Sequence, residues 1–296
     1  MQKIIPHLWF DKEAKEAADF YVSIYGKGSK IKNISKLDNT PSGSVDIVTF
    51  ELLGWEFQAI SAGPLFKFNP SVSFHVTCTT KEEVDRIWTK LSHGGQVLME
   101  LGAYPFSERY GWLQDKYGLS WQINYSGGPD VKQKITPVIM FVGIVCGKAE
   151  EAINYWTSLF PQAKVDAILR FGRGEEPDKE GTVKYATFSL LGQEFGAMES
   201  AHEHNFAFNE AISFIVTCDT QSEIDYYWEK LSAVPEAEQC GWLKDKFGFS
   251  WQIVPSAMDE MMSKGSPEQI ARVTEAFLQM KKFDIETLER AYKGGV

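Results

Sequence analysis

Cysteine is scarce: four residues, at positions 78, 146, 218 and 240 of 296, with no CxxC pair among them. That removes the closely spaced thiols that redox and zinc motifs use. Cys78 and Cys218 lie inside apolar, strand-like runs, where reduced thiols pack as small hydrophobes. Basic charge is also short, with 30 Lys and Arg against 40 Asp and Glu and a net charge of -10. A nucleic-acid binder needs a basic footprint, so that class is excluded. Long apolar runs are missing too. The opening MQKIIPHLWFDKEAKEAADF is charged within its first twenty residues, so neither a signal peptide nor a membrane span is expected, and the expected location is cytoplasmic. Nor is there a glycine-rich strand-to-helix loop. FGRGEEPDKEG at 171–181 has glycines, but its acidic run and proline suit an exposed loop, so no nicotinamide or nucleotide site is evident. Apolar material is plentiful, at 44% hydrophobic and 14% aromatic, enough for two cores in a chain of two-domain length.

The chain repeats itself. ERYGWLQDKYGLSWQINY (108–125) and EQCGWLKDKFGFSWQIVP (238–255) share eleven of eighteen positions. KIIPHLWF is answered by KITPVIMF, TFELLGWEFQAI by TFSLLGQEFGAM, and NPSVSFHVTCTT by NEAISFIVTCDT, in the same order. A whole domain is therefore duplicated. The expected division is a first domain at 1–128, a second at 129–260 and a helical tail at 261–296. The segment GGQVLMELGAYPFSER (94–109) has a counterpart ten residues shorter in the second copy. The second domain is expected to have a shortened sheet and a more open rim.

Periodicity supplies the elements. Within the first copy, strands fall at 3–10, 30–37, 44–52, 55–60, 71–78, 109–115 and 119–125, with helices at 12–25 and 81–91. Thr80 with Glu83, and Thr220 with Glu223, suit capping boxes. Asp115–Gly118 and Asp245–Gly248 lie between short strands. Aspartate bonds nearby backbone N–H groups there, and glycine supplies a positive φ. Trp112, Trp121, Trp242 and Trp251 are expected to pack sheet against helix, which makes the shared motif mostly scaffold. In the tail, Ser266-Pro267-Glu268-Gln269 begins one helix and Asp284 a second, forming a two-helix latch.

The order strand, helix and three strands occurs twice per copy. With KIIPHLWF, EAADFYVSIY, NPSVSFHVTC, CGWLKDKFGFSWQIVP and RVTEAFLQMKKFDIETLERAYKG, the chain resembles the vicinal oxygen chelate superfamily, the glyoxalase and bleomycin-resistance proteins. More closely, it resembles the PhnB-like branch, often labelled 3-demethylubiquinone-9 3-methyltransferase. The resemblance implies an α+β fold of tandem glyoxalase-like domains, each built from paired βαβββ modules. It also implies ligands from the first, fourth, fifth and eighth strands. Those positions are His7, Gln58, His75 and Gln122 in the first copy and Val138, Gly196, Ile215 and Gln252 in the second.

Strand parity places these side chains independently. His75 shares a face with Ser73, and Gln58 with Glu56, each opposite an apolar face; the first strand is ambiguous. The expectation is one polar hollow in the first domain that gathers His7, Gln58, His75 and Gln122 with Glu56 and Ser73. Two imidazoles can bind a divalent metal, but neutral amides donate more weakly than carboxylates. The cofactor reading is thus none, or a divalent metal held by those four residues. Glu100 and Tyr110 are further polar candidates near the rim. A small-molecule-binding protein is the leading function; a metal-dependent lyase, isomerase or dioxygenase is the alternative, and methyl transfer is disfavoured. The duplication is expected to form an intrachain pseudo-dimer, with further pairing into homodimers left open.

Overall fold

The computed structural model describes residues 2–40 and 42–295, apart from the Asn39 side chain. The first copy gives β1 (Ile4–Phe10), α1 (Ala14–Tyr25), β2 (Lys30–Thr40), β3 (Gly43–Leu52) and β4 (Trp55–Ser61). It continues with β5 (Val72–Cys78), α2 (Lys81–Ser92), β6 (Gln96–Tyr104), β7 (Ser107–Gln114) and β8 (Ser120–Tyr125). The second copy gives β9 (Ile135–Val142), α3 (Ala149–Leu159), β10 (Lys164–Arg170), β11 (Val183–Leu190) and β12 (Gln193–Ser200). Its second half is β13 (Ile212–Cys218), α4 (Gln221–Leu231), β14 (Trp242–Lys244) and β15 (Ser250–Pro255). The tail is α5 (Ser256–Lys264), α6 (Pro267–Leu278) and α7 (Ile285–Lys293), three helices where the sequence pattern suggests two. None of the described helices is long and apolar enough to cross a membrane.

These elements form two sheets, and both mix the copies. One sheet has the order β14-β15-β13-β1-β4-β3-β2, the other β10-β11-β12-β9-β5-β8-β7-β6. Within each module the outer strand pairs are parallel, as in β1 with β4 and β5 with β8. Modules from different copies join through antiparallel contacts, β1 with β13 and β5 with β9. Two compact units result: 1–22 with 29–67 and 209–296, and 23–28 with 68–208. The repeat seen in the sequence and the units of the fold thus cut the chain differently.

In the first unit, one face of the sheet is apolar. Phe50 and Phe57 stack with centroids 5.4 Å apart, and Tyr21 of α1 lies on Phe50. In the second unit, Phe74 packs on Trp121, while α2 buries Val84, Ile87 and Leu91. Each fully buried Phe contributes about 1.5–3 kcal/mol relative to exposure. Thr80 caps α2 by accepting from the Glu83 N–H at 3.1 Å, and the complete capping box forms at Thr220.

The repeated motif is scaffold, as its residues suggest. Buried Asp115 accepts from the Tyr117 and Leu119 N–H groups (2.8 and 3.1 Å) and from Trp121 Nε1 (2.9 Å). Asp245 does the same for Phe247, Phe249 and Trp251, at 2.9, 3.0 and 3.0 Å. Charge-assisted bonds of this kind are stronger than neutral ones and hold each carboxylate in its turn. Gly118 and Gly248 take the positive φ that each turn requires, 87° and 79°.

The ten-residue deficit shortens a sheet, as expected, but does not open its rim. It shortens the sheet that contains β1, leaving β14 with three residues and no counterpart of β6. The rim is not open, because the tail occupies it: Cys240 and Gly241 N–H groups donate to the Met280 and Lys281 carbonyls, both at 2.8 Å. A Cβ at Gly241 would stand 2.6 Å from the Phe283 ring, so glycine permits this close approach.

Candidate functional site

The first unit holds a cavity of about 390 Å³ on the sheet face opposite its Phe core. The ambiguity of β1 resolves: Ile5 and His7 face the cavity, while Ile4, Leu8 and Phe10 are buried on the other side. Register then assembles the floor. His7 stands opposite Gln58 on β4 and Ser213 on β13; Gln252 on β15 stands opposite Ile215 and Trp242. Met258 and Met262 of α5, Phe277 of α6 and Phe283 form the remaining wall. Tail residues therefore close a hollow that a bare sheet would leave open to water.

Several polar groups on this floor have no partner. His7 is 2% exposed, and among the described residues its Nδ1 makes no hydrogen bond. Burial holds its pKa down at about 3, so the imidazole is neutral at ordinary pH. Its ring meets Trp242 edge-on, with centroids 5.3 Å apart. Trp242 Nε1 is likewise unpartnered, and so, outside the cavity lining, is Ser250 Oγ. Gln252 Nε2 donates to Ser213 Oγ at 2.8 Å. At the mouth, Glu56 is ion-paired with Lys32.

The second unit has a hollow of about 440 Å³, bordered by His75, Thr77, Thr136, Tyr185 and Thr187 among others. Elsewhere on the same sheet, outside the lining of this hollow, buried polar groups satisfy one another. Tyr110 Oη donates to Gln122 Oε1 (2.8 Å), and Gln122 Nε2 donates to Ser73 Oγ (2.7 Å). Trp112 Nε1 donates to Ser120 Oγ at 2.8 Å, the bond that matching Trp242 and Ser250 do not make. Gly196 replaces the Gln58 position, and a Cβ there would come within 2.8 Å of the Tyr185 hydroxyl. His75 stands opposite Gln122, its Nδ1 3.5 Å from Thr77 Oγ1, and burial lowers its pKa to about 4.

The expected quartet is therefore divided. His7, Gln58 and Glu56 belong to the first unit; His75, Gln122 and Ser73 belong to the second. The reason is the strand order: β1 and β4 are joined to β13, whereas β5 and β8 are joined to β9. Tyr110 is a buried member of the Gln122 network, and Glu100 is exposed on β6. Trp242, expected between sheet and helix, lines the cavity instead, because in the alternation of β14 it shares the face of its partner Gln252. Cys240, at the position of Tyr110, leaves Gln252 without the hydroxyl that Gln122 has; this mismatch was visible in the repeat.

Neither donor set fits a divalent metal. The first unit offers one imidazole and two neutral amides around Ile215, and its Glu56 carboxylate is ion-paired with Lys32; the second offers His75 and an amide already bonded at both ends. Among the described residues, no three His, Cys, Asp or Glu side chains gather as a metal centre requires.

The family model described as 3-demethylubiquinone-9 3-methyltransferase matches residues 2–124 and again 133–254. A PhnB protein from Bacillus cereus, provisionally described by the same activity, is 44% identical over 42% of this chain and 100% of its own, with a TM-score of 0.40. A glyoxalase I mutant from Zea mays covers 88% of this chain and 97% of its own at 11% identity, with a TM-score of 0.57. Glyoxalase I from Zea mays covers 86% and 93% at 12% identity, with a TM-score of 0.52. These two likenesses concern the fold. None of the curated proteins compared with the chain matches it. With both copies matched, the chain belongs to the 3-demethylubiquinone-9 3-methyltransferase family, in its PhnB-like form, and shares the fold of glyoxalase I.

Proposed function

We propose that this protein binds an uncharged, largely apolar small molecule, or the uncharged part of one, in the cavity of the first unit. The observation that carries the reading is the contrast between matching positions of the two units. Buried polar atoms at the His7 and Trp242 floor lack partners, whereas their counterparts around Gln122 are bonded to each other. An unpaired buried polar group costs about 1–3 kcal/mol, which a ligand bearing a matching acceptor or donor recovers. The volume lies within the range of small-molecule sites, and the walls are mainly aliphatic and aromatic.

Binding is favoured over catalysis by the same groups. An imidazole held at about 3 is a poor general base near neutral pH, and the Glu56 carboxylate is tied to Lys32. The metal-dependent alternative would need a donor set that neither hollow supplies.

The test is ligand-observed NMR and calorimetry with 2-naphthalenemethanol as an uncharged bicyclic probe. Saturable binding of one probe per chain is expected, weakened at least about five-fold by Gln58→Ala or Trp242→Phe and unchanged by His75→Val. Binding that ignores the first-unit substitutions, or no binding, overturns the assignment.

A further inference from the structure

The cavity mouth carries more negative than positive charge, and that imbalance bears on the class of ligand. Lys32 is the one cation bordering the cavity among the described residues, and Glu56 already engages it. Asp259, on the first turn of α5, also borders the cavity, and among the described residues its carboxylate makes no hydrogen bond or ion pair. Desolvation at the mouth pushes the Asp259 carboxyl up, and the Glu56 charge adds to it; a cation placed there acts in the opposite sense. Much of Asp259 is open to water, so this electrostatic effect is screened. Below the mouth the floor is neutral: buried His7, with its unpartnered Nδ1, offers no positive charge to an anionic ligand. Trp242 and Phe277 supply aromatic walls, and Met258 and Met262 supply adaptable ones.

We propose that the first-unit cavity takes amphipathic aromatic amines, with the ring system against Trp242 and the methionine wall and the ammonium at the mouth beside Asp259 and Glu56. The assignment rests on the cavity being a ligand site, and it adds the charge and polarity of what enters. A carboxylate-bearing aromatic is disfavoured at both ends, by Asp259 above and by the neutral floor below. A neutral analogue retains the ring contacts and gains nothing at the mouth.

Calorimetry at pH 7 with three probes of one shape separates these cases: 2-naphthalenemethanamine, 2-naphthalenemethanol and 2-naphthoate. The amine is expected to bind about three- to five-fold more tightly than the alcohol, with the carboxylate weakest. Asp259→Asn, on a solvent-facing helix position, lowers the amine to the level of the alcohol and leaves the alcohol unchanged. Alcohol binding as tight as amine binding overturns the amine class while leaving the cavity assignment standing. An amine that keeps its advantage in Asp259→Asn likewise overturns the amine class alone. Failure of all three probes to bind overturns both the class and the cavity assignment.

Discussion

Replacing His7 by valine, the residue at the matching position 138 of the second copy, is expected to change how stability depends on pH. Burial depresses the His7 pKa from 6.5 to about 3. The folded chain then stays unprotonated at this site over a range in which the unfolded chain takes up a proton. Stability is complete above pH 6.5 and declines as pH falls toward 3. At pH 5 the gap below 6.5 is one and a half units, and at about 1.4 kcal/mol per unit the site costs about 2 kcal/mol. His7→Val lacks that penalty, so its loss of stability between pH 8 and pH 5 is smaller than that of the parent chain by about 2 kcal/mol. His75, with its own depressed pKa, is common to both chains and cancels in the comparison. Urea unfolding at the two pH values, with NMR titration of the His7 ring, measures the effect. Equal pH slopes in the two proteins, or a ring that protonates near 6.5, would refute the reasoning.

Asp245→Asn keeps an oxygen for the Phe247 and Phe249 N–H groups but turns an amide N–H toward the Trp251 indole N–H. It is expected to cost about 2–3 kcal/mol, read as a lower urea midpoint, and Asp115→Asn should cost the same in the other unit. An unmoved midpoint would show that the carboxylate does not organise the turn. Zinc or nickel in modest excess, or EDTA, is expected to leave the unfolding midpoint unchanged. Calorimetric uptake of one ion per chain, abolished in His7→Val, would contradict the reading of the donor sets.

The fold was legible because its signals are local. Alternation in β4 and β5, the Thr220 capping box and the Asp245 turn are each fixed by residues a few positions apart. The candidate site was legible only in part. Parity put Gln58 and His75 on polar faces correctly, yet nothing in either strand specifies which distant strand lies beside it. His7 pairs with Ser213, and His75 with Thr136, through contacts between the two copies. The expectation of one shared hollow assumed that each copy closes on itself. Trp242 and Asp259 were missed for a related reason. One resembles a core tryptophan in its motif, and the other becomes a mouth residue only when α5 meets β2 and β15. The Cys240–Tyr110 mismatch was the available clue.

Because β1 pairs with β13, the order in which the chain emerges during synthesis has consequences. The second unit is nearly continuous, and its strands are all present once residue 208 has been made. The first unit has to wait: β1 finds its antiparallel neighbour only when residues 212–216 arrive, and the tail that covers the cavity comes last. Until then β1 presents an unpaired edge, the kind of surface on which nascent chains associate wrongly. A ribosome stalled before β13 would therefore hold one finished sheet and one half-built sheet, and the half-built one is where a chaperone has work to do.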